Sequence, residues 1–343
     1  MRIRIENPGV LTTVQDQGRY GYMEYGVRTG GVMDLSAYAA GNRLVGNAED
    51  AACLEMTLMG ITAVFEGDGV IALTGAGMKP RLDGMPLETG RAVPVHSGQR
   101  LSLGISEKGC RGYFFAAGGI DVPEVMGSRS TDVKCHLGGL EGRALKAGDI
   151  LETGTQTAGE ERNSSQKPAM ASEKIESKVQ VRAVEGPQAD WFSEEARERF
   201  FRETYTVSAE SDRMGMRLNG WPVESLQGVD IVSDGIVSGS IQITKSGMPI
   251  VMMADHQTTG GYAKIATVCS FDLPKLAQLR PGDAVRFCRV TVEEAQRLYC
   301  HPEEQKRTAP LAFAVRKCTD SGKRTGKRHK FQKYCYYYRH GAF

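Results

Sequence analysis

Short apolar runs separated by glycine-containing turns constrain the fold of this chain more than any other feature. The 343-residue sequence contains 41 glycines, and glycine favours tight turns because it adopts backbone conformations that other residues avoid. Runs of strand length recur between these turns, for example at residues 61–65, 92–95 and 112–117. Closely spaced short strands predict a mainly β fold, a barrel or a sandwich, with a few short helices.

Three short helices are predicted from capping residues and apolar spacing. Asp34 is a candidate N-cap, and apolar residues at near-helical spacing follow it as far as a stop at Gly46. A second helix is expected from about Asp190. A third is expected after Asp272 as its N-cap, since Pro274 is tolerated in a first turn.

The length of the chain indicates two domains. We expect one β half over residues 1–154 and another over residues 179–304, with similar turns near the ends of the two halves as weak support for a duplicated fold. Residues 155–178 are polar and serine-rich, which predicts a linker or exposed loop. Residues 305–343 form a basic tail without helical or strand periodicity, which predicts disorder.

Charge is distributed unevenly along the chain. Residues 306–343 contain eleven Lys or Arg against one acidic residue, so this segment is +10 and, with +2 for the whole chain, residues 1–305 are −8. An acidic body argues against nucleic-acid binding. For the tail, a dispensable extension is favoured over contact with RNA or a membrane surface.

Cysteine usage and hydropathy predict a cytoplasmic protein. The eight cysteines include no Cys-x-x-Cys pair, so neither a zinc knuckle nor a disulfide framework is indicated, and no metal site is expected. The first residues lack the apolar core of a signal peptide, and no apolar run reaches membrane-spanning length.

The stretch from residue 239 to residue 268 is the strongest candidate for a functional site. Two strand-like runs, 241–243 and 250–252, are joined by a turn and followed at once by varied polar groups. Adjacent glycines there let backbone amides approach a ligand, and strand-flanked loops often form small-molecule sites. The alternative, a plain surface turn, rarely needs so many functional groups. The candidates in this string are Asp255, Gln257, Thr258, Thr259, Gly260, Gly261, Tyr262 and Lys264.

Two compact Asp/Arg clusters lie elsewhere in the chain. Gln15, Asp16 and Arg19 follow a predicted strand, and Asp212 and Arg213 stand beside a glycine. A guanidinium in such a cluster can hold a carboxylate or a phosphate with two hydrogen bonds. It can equally form a structural pair with the neighbouring aspartate, so both interpretations stay open.

These motifs together resemble the KipA/PxpC family, which comprises the C subunit of 5-oxoprolinase and proteins called biotin-dependent carboxyltransferases. The family is similar to the carboxyltransferase domain of urea carboxylase. The resemblance covers roughly residues 3–295 in the same order along the chain and leaves out the tail. Its motifs lie at residues 8–22, 30–47, 211–218, 239–268 and 276–283.

The resemblance implies two cyclophilin-like β-barrel halves and an enzyme made of several proteins. The implied partners are a LamB/YcsF-type A subunit together with a KipI/PxpB-like B subunit. The implied activity is the ATP-dependent opening of 5-oxoproline to L-glutamate, whereas the urea carboxylase relatives transfer a carboxyl group from carboxybiotin. The sequence contains no Met-Lys-Met biotin attachment signal, so any biotin would arrive on another chain.

Opening an unactivated lactam requires a leaving group, which ATP can supply by phosphorylating the lactam oxygen. Such a site needs cations and pre-placed donors for negative charge, and the sequence has no P-loop to provide them. We therefore expect Arg213, Lys264 and Arg19 to bind anions, and Gln242, Gln257 and Thr259 to orient the substrate. Tyr262 would donate a hydrogen bond or stack. The predicted catalytic residues are Asp255, Lys264 and Asp212, with His256 interpreted as structural.

Two other functions remain alternatives to the enzyme component. The first is a regulatory protein that binds and antagonises a KipI-like histidine-kinase inhibitor without doing chemistry. The second is the carboxyltransferase subunit of a biotin-dependent carboxylase. The family motifs alone do not separate them, and prolyl isomerase activity would be an analogy of fold only.

Overall fold

A computed structural model gives the structure of the protein and describes residues 1–155 and 175–307. Residues 156–174 of the predicted linker at 155–178 and residues 308–343 of the predicted tail at 305–343 lie outside the described residues. The interpretation of those two segments, and with it the proposed division into domains, stays a prediction.

The first described range contains twelve strands and one α-helix, α1 (Leu35–Val45). The strands are β1 (Arg2–Asn7), β2 (Leu11–Gln15), β3 (Cys53–Thr57), β4 (Thr62–Glu66), β5 (Gly69–Gly75), β6 (Arg81–Leu82), β7 (Met85–Pro86), β8 (Ala92–Val95), β9 (Arg100–Ser102), β10 (Arg111–Ala116), β11 (Ile120–Asp121) and β12 (Ile150–Thr153).

The second described range contains nine strands and four α-helices. The strands are β13 (Lys178–Glu185), β14 (Thr204–Val207), β15 (Gly215–Asn219), β16 (Asp230–Gly235), β17 (Ser240–Ile243), β18 (Pro249–Met252), β19 (Thr259–Tyr262), β20 (Lys264–Val268) and β21 (Ala284–Arg289). The helices are α2 (Glu194–Arg202), α3 (Leu273–Ala277), α4 (Val292–Cys300) and α5 (Pro302–Arg307).

In the first range, which we call the N-terminal half, two sheets face each other across one core. Their strand orders are β11-β12-β1-β4-β9-β6-β7 and β2-β3-β10-β5-β8. Phe65 of the first sheet and Phe114 of the second lie in the same buried cluster. Because side chains alternate along a strand, Tyr113 and Phe115 of β10 point to the opposite face, where they pack with α1.

In the second range, which we call the C-terminal half, seven strands close into a barrel in the order β13-β20-β17-β18-β15-β14-β21. All neighbours are antiparallel except β13 and β21, which are parallel. Phe200 of α2 stacks on Phe287 of β21 with 4.9 Å between the ring centroids. Outside the barrel, β16 and β19 form a two-stranded ribbon.

The predicted mainly β fold with few short helices is confirmed. Barrel closure is described for the C-terminal half, whereas the strands of the N-terminal half form two facing sheets.

The predicted helices are present, but the start of one and the cap of another differ from expectation. The Asp34 cap is confirmed, since its carboxylate accepts a hydrogen bond from the amide of Ala37 at 2.9 Å. Helix α2 begins after Ser193 rather than at Asp190, because the Ser193 hydroxyl supplies the cap. Asp272 stands at the predicted position but makes no side-chain cap. Its carboxylate instead accepts hydrogen bonds from the guanidinium of Arg182 at 2.8 and 2.7 Å.

Gly41 on α1 provides a test of this packing. A Cβ at Gly41 would overlap the ring of Phe115, whereas one at the exposed Gly77 would meet no atom within 4 Å. We expect Gly41→Ala to lower the free energy of unfolding by about 1–3 kcal/mol through overpacking. Helix propensity alone would make the same change stabilising by roughly 1 kcal/mol. Urea unfolding of Gly41→Ala beside Gly77→Ala checks the sign, and a stabilised Gly41→Ala protein would contradict the packing.

Candidate functional site

The guanidinium of Arg213 links the two halves of the chain. It lies just before β15 and donates to both carboxylate oxygens of Asp255, each at 2.8 Å. It also donates to the carbonyl oxygen of Gly31 at 2.6 Å and forms an ion pair with Glu55 on β3. All these side chains are buried. Arg213 is therefore committed to groups of the protein, two of which belong to the N-terminal half.

Glu55 receives hydrogen bonds on its other oxygen from the Met33 amide at 2.7 Å and the Tyr113 hydroxyl at 2.8 Å. Burial by itself would raise the pKa of Glu55, but Arg213 and Arg111 lower it below its usual value. Burial would likewise lower the pKa of Arg213, and Asp255 and Glu55 raise it instead. The Glu55 carboxylate and the Arg213 guanidinium therefore both stay charged, because each stabilises the charge of the other.

A second contact between the halves runs through Gln278, which follows α3. Its amide nitrogen donates to the Asp34 carboxylate at 2.7 Å and to the Arg111 carbonyl at 3.0 Å. Its amide oxygen accepts from the backbone amides of Cys110 and Arg111. Together with Arg213, Gln278 fixes the barrel against the β3 and β10 region of the N-terminal half.

The predicted polar string begins at this junction and ends inside the barrel wall. We call residues 255–264 the site segment. Asp255 is held by Arg213, and the buried His256 places Nδ1 2.7 Å from the carbonyl oxygen of Gln257. Burial lowers the pKa of His256, which keeps the imidazole neutral near pH 7. Residues 259–262 were expected in a loop, but they form β19, because β16 pairs with them.

The far end of the site segment gathers an ammonium and two amides. Lys264 is buried, and its Nζ donates to a carboxylate oxygen of Asp234 at 3.0 Å. Gln242 lies opposite Lys264 in the β17–β20 register. A Cβ on Gly260 would lie 2.8 Å from the side-chain nitrogen of Gln242 and 3.3 Å from that of Gln257. The absence of a side chain on Gly260 therefore leaves room for both amides beside it.

Asp234 completes this group and was not predicted from the sequence. Its hydrogen bond with Lys264 lowers the pKa of the carboxylate. Residue 234 faces Gly260 across the β16–β19 ladder. The residues next to Asp234 in the sequence do not indicate a role for it, because its partner Lys264 is thirty positions away.

The first Asp/Arg cluster lies within the N-terminal half and holds a loop in place. Asp16 accepts hydrogen bonds from the hydroxyls of Ser128 and Ser130 at 2.7 and 2.5 Å. Arg19 donates to the carbonyl oxygens of Val125 and Ser130, both at 2.9 Å. The amide nitrogen of Gln15 is bonded to Thr13 and Thr131, while its buried oxygen has no partner among the described residues.

The structure thus brings together some predicted residues and separates others. Asp255 meets Arg213, and Gln242, Gln257, Gly260 and Lys264 form one group. Asp212 is half-exposed, and its carboxylate accepts from the amides of Met214 and Gly215 in its own turn. The remaining predicted residues of the site segment, Thr258, Thr259, Gly261 and Tyr262, lie in or beside β19.

Comparison with known proteins identifies the family to which this chain belongs. The chain belongs to the family described as carboxyltransferase domain, subdomain A and B, which matches residues 25–289. This confirms the resemblance seen in the sequence.

Curated relatives give the comparison more detail. The chain is 40% identical over 316 residues to the C subunit of 5-oxoprolinase from Escherichia coli, covering 91% of this chain and 98% of that protein. It is 38% identical over 286 residues to the C subunit of 5-oxoprolinase from Haemophilus influenzae, covering 83% and 90%. It is also 34% identical over 312 residues to urea amidolyase of Saccharomyces cerevisiae, covering 86% of this chain but 17% of that protein.

Solved structures share the same architecture. Urea amidolyase of K. lactis superposes with a TM-score of 0.79 at 30% identity, covering 90% of this chain and 20% of that one. A protein designated TTHA0988 superposes with a TM-score of 0.74 at 30% identity, covering 84% and 55%. Within the described ranges, no helix is long and apolar enough to cross a membrane.

The ionised Glu55 predicts a specific pH dependence of stability. Its pKa is lower in the folded state than in the unfolded state, where about 4.3 is usual. The contribution of the ionised Glu55 to the free energy of unfolding is therefore complete above the pKa of the unfolded state. It is lost as the pH falls through the pKa of the folded state. We expect Glu55→Gln to cost about 3–5 kcal/mol at pH 7 and progressively less as the pH is lowered below about 4.

Urea unfolding at several pH values between 7 and 3 measures this difference. Glu210→Gln is the control, because Glu210 is exposed and its surface ion pair with Arg217 is long, at 3.9 Å. Parallel pH curves for the wild type and Glu55→Gln would contradict the assignment.

Proposed function

We propose that this chain is the C subunit of a cytoplasmic, ATP-dependent 5-oxoprolinase, which opens 5-oxoproline to L-glutamate. A LamB/YcsF-type A subunit together with a KipI/PxpB-like B subunit would complete the complex. One observation carries the proposal. The chain is 40% identical to the C subunit of the E. coli 5-oxoprolinase and covers 98% of it, whereas it covers 17% of the yeast urea amidolyase.

The group at the far end of the site segment suits the chemistry of lactam activation. When ATP phosphorylates the lactam oxygen, negative charge develops on the transferred phosphoryl group. A nearby cation and fixed hydrogen-bond donors stabilise that charge. Lys264 supplies a buried ammonium, and Gln242 and Gln257 supply amide donors beside it. We therefore propose Lys264 as the catalytic group that contacts the reacting oxygen.

Arg213, Asp255 and Asp212 have a different place in this proposal. Both oxygens of Asp255 are engaged by Arg213, and Asp212 is bonded to its own turn. We assign these three residues to positioning the site segment, and we assign Gln242, Gln257 and the β19 residues to holding the substrate. The sequence has no P-loop, so an ATP site on this chain would be built from other elements.

Carboxyl transfer is the second candidate function. It is favoured by the family description and by the similarity to urea amidolyase. In that case the amides and Lys264 would stabilise the carboxylated acceptor, and a biotin carrier on another chain would be required.

Substrate-dependent ATP hydrolysis by this chain with its two partner proteins tests the proposal, each of the three components being left out in turn. We expect turnover to require all three and Lys264→Met to lower kcat by about 10²–10³-fold, as loss of a preorganised charge does. Lys245→Met is the matched control, because Lys245 is an exposed lysine of the same half, paired with Asp230 at 3.1 Å.

Full turnover by a folded Lys264→Met protein would contradict the assignment of Lys264 as the catalytic group. Absence of turnover in the complete mixture, combined with carboxyl transfer from a biotin carrier, would favour the second candidate.

A further inference from the structure

The loop at residues 28–33 crosses the junction between the two halves. The carbonyl oxygen of Gly31 accepts from Arg213 at 2.6 Å, and a Cβ on Gly30 would lie 3.7 Å from a carboxylate oxygen of Asp255. Met33 packs into the core of the C-terminal half. The loop therefore lies directly against the start of the site segment.

Arg28 in this loop differs from Arg213 and Arg19 in its contacts. Its side chain is 18% exposed, and the contact found for it among the described residues is an ion pair with Asp132 at 3.6 Å. That distance is too long for a hydrogen bond, and a guanidinium carries five donors. Arg213 and Arg19, by contrast, have their donors directed at protein oxygens. Arg28 therefore has donors that no described acceptor engages and is partly accessible, whereas the Nε of Arg111, also without a partner among the described residues, is buried.

The groups around Arg28 come from both halves. Asp132 uses the same oxygen to accept from the amides of Lys134 and Cys135 at 3.0 and 3.1 Å, which holds it in its own turn. Arg28 also acts electrostatically on His256 and on the exposed thiol of Cys135. The imidazole and the thiol are both neutral near pH 7, because burial lowers the pKa of His256, and partial desolvation together with the negative charge of Asp132 raises the pKa of Cys135. Arg28 thus lies near an imidazole of one half and a thiol of the other, neither of which carries a negative charge that would pair with it.

The local charge selects among anions. Arg28, Arg213 and Arg111 are balanced by Asp132, Asp255 and Glu55. A carboxylate adds one negative charge to this balanced set, whereas a phosphate dianion adds two beside three carboxylates. The planar fork of a guanidinium also matches the two oxygens of a carboxylate.

We propose that Arg28 binds the carboxylate of the small-molecule substrate at the junction of the two halves. The proposal rests on the proposed function, in which that substrate is 5-oxoproline. Arg28 lies two residues before Gly30, which packs against Asp255, and Gln257 lies two residues after Asp255. The proposal therefore places the substrate carboxylate beside the start of the site segment.

The test separates binding from turnover. Calorimetric binding of 5-oxoproline, its neutral carboxamide analogue and inorganic phosphate is measured with the chain alone and with the complex. Arg28→Gln should weaken 5-oxoproline binding and raise its KM by about 10–100-fold, as loss of a charged hydrogen-bonding partner does. The kcat and the KM for ATP should change less than about threefold. Arg28→Lys should recover part of the affinity, because it keeps the charge without the fork.

Arg217→Gln is the matched control, since Arg217 is a half-exposed arginine on β15 that forms a surface ion pair with Glu210 at 3.9 Å. Loss of the preference for 5-oxoproline over its carboxamide in Arg28→Gln supports the proposal even if the complex shows no turnover. Turnover with an unchanged 5-oxoproline KM in Arg28→Gln overturns it while leaving the proposed function intact. A selective effect on phosphate or ATP, or absence of 5-oxoproline binding to both chain and complex, also overturns it.

Discussion

The buried contact of Arg213 with Glu55 and Asp255 is the interaction on which the rest of the structure depends. Removing charges from water is costly, and a buried ion pair is tolerated only when its hydrogen bonds are nearly complete. Here Arg213 contacts both carboxylates and the Gly31 carbonyl, while Glu55 is further bonded to Met33 and Tyr113. Such a network disfavours any other arrangement of the two halves, because a shift would leave a buried charge without a partner.

This constraint reaches the candidate site through the chain itself. Asp255 is the first residue of the site segment, and Lys264, the last, is buried in the barrel wall. Between them β19 is paired with β16. With both ends fixed and the middle held in a ladder, the amides of Gln242 and Gln257 are kept beside Lys264. Preorganised donors of this kind are what electrostatic catalysis requires.

Local patterns in the sequence predicted the strands and the Asp34 cap, because alternation and capping act over a few residues. They also pointed to the stretch that contains the site segment. The partners of Arg213 were out of reach, since Glu55 lies 158 positions away in the sequence. A carboxylate in the middle of the apolar strand β3 was the one local sign of such a partner. The polar string was expected in a strand-flanked loop, whereas pairing with β16 makes residues 259–262 a strand.

Arg213 and Arg19 illustrate why a residue type alone does not define a role. Both were expected to bind anions, and both direct their donors at protein oxygens. Arg28 carried no recognisable local signal, because its availability follows from the geometry of two distant loops. Whether a guanidinium binds a ligand depends on which of its donors the fold leaves unused.

The most direct test of this account is a double-mutant cycle between Glu55 and Arg213, with Glu55→Gln, Arg213→Met and the combined variant compared by urea unfolding at pH 7. The account predicts strong coupling, with the combined variant more stable than the sum of the single changes by about 2–3 kcal/mol. The exposed pair Glu210 and Arg217 should show coupling below about 1 kcal/mol. Additivity within roughly 0.5 kcal/mol at Glu55 and Arg213 would contradict the claim that this pair holds the two halves together.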